Sequence, residues 1–65
     1  MIENTIDRFI GNFCKIVIKD LNDERARVLT GFIMDVDHEK GTVKIETKQG
    51  FNYVDIAKII AIKPK

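Results

Sequence analysis

The chain has no tryptophan and no serine, and only one histidine, one cysteine and one proline in 65 residues. With His38 as the lone imidazole, a serine-hydrolase constellation has no parts, and no Gly-rich phosphate loop or Walker-type lysine motif occurs. No enzymatic activity is expected. Cys14 cannot form an internal disulfide, and neither a CxxC pair nor a Cys/His cluster offers zinc a site, so no metal or other cofactor is expected. In its strand-like surroundings Cys14 reads as a small core hydrophobe. The longest apolar run, 59–62, is far too short to span a bilayer, and no basic flank precedes an apolar signal segment. The expectation is a cytoplasmic protein with no membrane partner.

What is present is an ordered globular composition, 45% hydrophobic and 32% charged. At this length the chain makes one domain, 1–65, near the lower limit for folding alone, so an economical core or self-association is required. The net charge of +1 lacks the strong basic excess of a general nucleic-acid coat. Its distribution is uneven. Residues 1–39 hold five basic and eight acidic groups, a net −3, whereas residues 40–65 hold six and two, a net +4. A polyanion would prefer the C-terminal half, although scattered solvating charge explains the same count.

Ile2, Ile6, Phe9, Ile10 and Phe13 recur at the spacing of one apolar helical stripe, with Glu3 and Asp7 early, Asn4 or Thr5 as cap and Gly11 as terminator. This predicts an N-terminal helix over 1–12. Cys14, Ile16 and Ile18 then alternate with Lys15, Val17 and Lys19, the period of a half-buried strand. Turn formers and charges at 20–25 read as a loop, 26–37 as a long strand and 38–41 as a polar turn. Residues 42–48 alternate again, with Val43 and Ile45 inward. Gln49-Gly50 signals a hairpin into a strand at 51–54, and a break at 55–58 precedes a last strand, 59–63, that Pro64 ends.

Gly31 interrupts the long strand among bulky residues, where a glycine marks a bend or a close backbone approach. Apolar residues flank it on both parities, Leu29 and Ile33 on one and Val28, Phe32, Met34 and Val36 on the other. A flat strand with one buried face would not need both. The pattern predicts a mainly β fold, a short N-terminal helix followed by a five-stranded antiparallel SH3-like barrel over 13–63. Antiparallel pairing follows because no connection is long enough for a crossover helix.

Asp35, Asp37 and Glu39 would share one face of an extended strand and could in principle hold a hard cation, but an EF-hand frame does not continue after them. They read as a solvated acidic strand end. His38 sits in a polar turn, where a tolerated surface residue and a base-contacting one look alike.

With these elements laid out, the chain resembles the Sm and Sm-like (LSm) family. Ile10-Gly11 followed by 14–20, Cys-Lys-Ile-Val-Ile-Lys-Asp, is similar to the end of the family's N-terminal helix and its first strand. Gly31-Phe32-Ile33 and Val36-Asp37 are similar to the glycine, aliphatic, aromatic and aspartate positions of its first motif, and Ile56, Ile59 and Ile62 to the aliphatic spacing of the second. Where many members carry His-x-Asn after the motif aspartate and Arg-Gly at the second motif, this chain has Asp37-His38-Glu39-Lys40-Gly41 and Asn52-Tyr53.

The resemblance implies an Sm-like RNA-binding protein: a homo-oligomeric ring, built by pairing the fourth strand of one subunit with the fifth of the next, that binds single-stranded RNA near its pore. It places RNA contacts at His38, Lys40, Asn52 and Tyr53, with Tyr53 as a stacking face and Asn52 as an amide for base edges. It places the subunit interface at Tyr53, Ile59, Ile60 and Ile62. Tyr53 reads equally well as a strand residue packed on a neighbour. The alternative from another class is an SH3-like barrel that serves as a protein-interaction or assembly module without nucleic acid, since a fold alone does not decide function.

Overall fold

A computed structural model describes residues 6–65. After a 3-10 helix at Ile6–Phe9 come β1 (Phe13–Ile18), β2 (Arg27–Asp37), β3 (Thr42–Thr47), β4 (Gly50–Asp55), a second 3-10 helix at Ile56–Lys58, and β5 (Ile59–Pro64). The strands form one antiparallel sheet in the order β4-β3-β2-β1-β5. The mainly β architecture with five antiparallel strands is as expected. Among the described residues no ladder joins β4 to β5, and both are sheet edges. Among the described residues no helix is long and apolar enough to cross a membrane.

The N-terminal helix expected over 1–12 is corrected where the structure describes it: residues 6–9 make a single 3-10 turn. Ile2, Glu3, Asn4 and Thr5 lie outside the described residues. The reason for the short turn lies in the main chain. Gly11 N–H donates to Ile33 O at 2.7 Å, and Ile33 N–H donates to Asn12 O at 3.1 Å. Ile10 to Asn12 thereby run alongside β2, with Ile10 bridging to Ile33, and cannot continue a helix. Of the described residues of the apolar stripe, Ile6 is fully buried and Phe9 packs against the cluster, while Phe13 opens β1.

The core is built largely from isoleucine: Ile6, Ile16, Ile18, Ile33, Ile45, Ile56 and Ile59, with Cys14, Val43 and Val54. Each buried aliphatic side chain contributes roughly 1.5–3 kcal/mol, and β-branched residues suit the pleated surface that presents them. The alternation in β1 is as read, with Cys14, Ile16 and Ile18 inward. β2 follows a subtler rule. Its register against β3 shifts between Ile33 and Asp35, leaving Met34 as an extra residue, so that Ile33 and Val36 both face their core partners Ile45 and Val43. A bulge of this kind bends the strand and lets apolar residues of both parities be buried.

Gly31 lies opposite Cys14 on the inward face. A Cβ there would stand 2.3 Å from the carbonyl oxygen of Glu46 and 2.9 Å from Ile45 Cγ2. The glycine is needed because the backbone of β3 passes directly over it. In β5 the register against β1 shifts at Ile60, which is left unpaired and 54% exposed. Pro64 does not end the pairing: it lies opposite Cys14, and the next residue, Lys65, donates its N–H to Phe13 O at 2.9 Å. Alternate residues of a strand turn their N–H groups to opposite sides, so the donor that proline lacks belongs to the free edge.

Candidate functional site

The β2–β3 turn is organised by Asp37, whose Oδ1 accepts from Glu39 N–H at 3.0 Å and Lys40 N–H at 3.1 Å. Gly41 closes it with φ +68° and donates to Asp37 O at 2.8 Å. This left-handed conformation suits glycine, which has no Cβ to clash. The freed Gly41 carbonyl then accepts from Ile56 N–H at 2.8 Å. This hydrogen bond carries the β3–β4 ladder one step past the Thr42–Asp55 pair, so the β2–β3 turn and the β4–β5 connection lie side by side at its end.

On the outward face beside this junction, Asp35, Asp37, Lys40, Thr42, Lys44 and Tyr53 line a cleft of about 230 Å³. Their convergence follows from register, since Asp35 pairs with Lys44, Lys44 with Tyr53 and Asp37 with Thr42. Directly opposed residues of antiparallel strands share a face. Lys40 and Tyr53 are therefore brought together, with the phenol ring 68% exposed. Asn52, opposite Ile45, belongs to the other face of β4. His38 is drawn away as well: its Nε2 lies 2.9 Å from each carboxylate oxygen of Asp7, both side chains half exposed, which ties the turn to the first 3-10 helix.

The four residues expected at an interface divide in the same manner. Ile59 is buried and Ile62 packs against the same core, whereas Ile60 and Tyr53 are exposed on the two edge strands. Behind them Lys58 lies 3.2 Å from Asp20 and 3.6 Å from Asp55. The hydrogen bond to Asp20, reinforced by the charges of Asp20 and Asp55, raises the Lys58 pKa above its ordinary value. Burial pushes the Cys14 thiol up, so it stays protonated and unreactive at neutral pH. The acids at 35 and 37 bind their own backbone, Asp35 Oδ1 accepting from Val36 N–H at 2.9 Å.

Sequence reasoning passed over the outward row of aromatic rings. Phe13 pairs with Phe32, Phe32 with Glu46, and Glu46 with Phe51. The row is invisible until the register is known, because its members are scattered over four strands. Lys44 Nζ stands 4.3 Å from the centroid of the Phe51 ring, a cation–π geometry. No protein-family model, no curated protein and no solved structure matches this chain.

Proposed function

We propose that this chain is an Sm-like protein whose sheet curls into an SH3-like barrel, whose copies join edge to edge into a ring, and whose ring binds single-stranded RNA. The observation that carries the reading is the end of the β3–β4 ladder, extended by the Gly41–Ile56 hydrogen bond, where the two connections lie side by side next to a cleft holding Lys40 and Tyr53. A phenol face and two lysines are the parts needed to stack a base and attract its phosphate. Two further features support the assembly. The strand order leaves β4 and β5 as edges, and each presents an exposed large side chain, Tyr53 and Ile60. Exposed edges invite pairing, and closure into a ring removes them.

The test is a pair of measurements on the unmodified chain and on Lys40→Ala/Tyr53→Ala. Light scattering at micromolar concentration should give several protomer masses for the unmodified chain, and the variant is compared at a concentration where its mass is the same, since Tyr53 stands on one of the pairing edges. Labelled hexauridylate and hexaadenylate at low salt should bind the unmodified protein and bind the variant weaker by about fivefold or more, since a stacked base alone is worth roughly 1–3 kcal/mol. A monomer that binds neither oligonucleotide refutes the proposal. One observation favours the second reading, an assembly module without nucleic acid: Asp35 and Asp37 line the same cleft and would repel a phosphate. A multimer that binds neither oligonucleotide would establish that reading.

A further inference from the structure

We propose that the outward face of the sheet around Phe13 and Phe32 is a second contact surface for single-stranded nucleic acid, separate from the Lys40–Tyr53 cleft. The inference rests on the RNA reading above and extends it to residues outside the RNA contacts that the family resemblance implies.

The rings of Phe13 and Phe32 meet edge to face, with centroids 4.9 Å apart and planes at 64°. In such a contact the ring that offers its edge keeps its own faces free, and both side chains are partly exposed. An open cleft of about 690 Å³ adjoins them, lined also by Lys48, Gln49 and Lys65, with Glu46 the one acid. A space of that size accommodates a nucleobase with its sugar. Ring faces bordered by lysines are the combination that binds single strands without demanding a particular sequence.

Charge identifies the occupant. Lys15 and Lys63 stand directly opposite each other on this same outward face, a like-charge pair that costs stability unless an anion relieves it. With Lys48 and Lys65 they give the face a basic bias that matches the surplus of the C-terminal half. A second copy of the chain seated there would bring two such lysine clusters together, so an anionic partner with flat apolar groups fits better. Lys44 lies on the same side of β3 as Glu46 and reaches over Phe51, linking this cleft to the one that holds Tyr53.

The experiment compares oligouridylates of 6 and 24 nucleotides across a salt series, using the unmodified protein, Phe32→Leu, Lys48→Gln/Lys65→Gln, and Lys40→Ala/Tyr53→Ala. Phe32→Leu keeps an apolar side chain but no ring, and should weaken the 24-mer on the order of tenfold. Lys48→Gln/Lys65→Gln should flatten the dependence of log affinity on log salt by about 0.7 for each phosphate that is no longer neutralised. Lys40→Ala/Tyr53→Ala should retain binding of the 24-mer that Phe32→Leu then reduces when the changes are combined. If both cleft variants bind the 24-mer with unaltered affinity and salt slope while the unmodified protein binds RNA, this surface is refuted and the RNA reading stands. If the unmodified protein binds neither length at low salt, the RNA reading fails first. A fall in oligomer mass in Phe32→Leu, with RNA affinity tracking the mass, would assign the face to subunit contact and overturn the inference.

Discussion

Replacing Gly31 by alanine adds a single methyl group, yet the structure leaves no room for it. The new Cβ would sit 2.3 Å from the Glu46 carbonyl oxygen and 3.1 Å from its carbon, where ordinary contact begins at 3.4 Å. β3 would have to retreat by about 1 Å, and the obstacle is backbone, which cannot swing aside as a side chain can. Overpacking a core costs about 1–3 kcal/mol, and each ladder hydrogen bond loosened by the retreat adds about 0.5–1.5 kcal/mol. A loss of about 2–4 kcal/mol is expected. For a domain of this size that corresponds to a fall in Tm of roughly 10–30 °C. Thermal and urea unfolding followed by far-ultraviolet circular dichroism, at matched protein concentration because association shifts Tm, reads it directly. Gly31 does not have positive φ, so the cost is steric and Gly31→Val should exceed Gly31→Ala. A Gly31→Ala protein melting within 2 °C of the unmodified chain would refute the close approach of β3.

Two further predictions concern ionisable groups. Cys14 is fully buried and its thiol pKa is raised by that burial; labelling by a disulfide reagent at pH 8 should therefore follow the rate of opening and accelerate sharply in Gly31→Ala, and labelling of the native protein at the rate of a free thiol would contradict the placement. The Lys58 pKa is raised first by its hydrogen bond to Asp20, so its contribution is fully present below the ordinary value of 10.5 and is lost as pH rises through the folded value. The gap in urea midpoint between the unmodified chain and Lys58→Met should accordingly be constant from pH 8 to 10 and shrink above that; a gap that stays constant up to pH 12 would show that the ion pairs contribute nothing.

What the amino-acid order revealed, and what it hid, divides along physical lines. The alternation of Cys14, Ile16 and Ile18 was legible because one face of β1 is buried and the other is not. The close approach at Gly31 was legible because glycine in such a run marks either a bend or a tight approach, and the structure shows the second. The extra residue at Met34 was not, since an apolar residue on either parity fits a bent strand equally well. The helical spacing from Ile6 to Phe13 misled because side-chain period says nothing about where the main chain of Gly11 and Asn12 finds partners. Of the candidate RNA contacts, Lys40 and Tyr53 meet because ladder register carries them to one face. Asn52 falls on the opposite face of β4 by the same period of two, a separation from Tyr53 that the sequence alone could have shown. His38 is captured by Asp7, which lies on a different element, and no local pattern announces that contact.

The two sheet edges differ in a way that constrains how copies would join. The end of β5 is guarded by Lys63 and Pro64, the second of which cannot donate to a neighbouring strand. Its beginning carries the unpaired Ile60. Antiparallel pairing of β4 with a neighbour's β5 would set the start of β4, at Gly50 and Phe51, against that guarded end, and Asp55 against the apolar beginning. The outward row that ends at Phe51 would then continue onto the neighbour's Lys63 and Lys15. Under the proposed assembly, the aromatic cleft of each subunit therefore gains lysines from the next. A protomer with a net charge of +1 would in this way present a continuous basic and aromatic track around the ring, with weak contacts repeated in every subunit and added through their linkage.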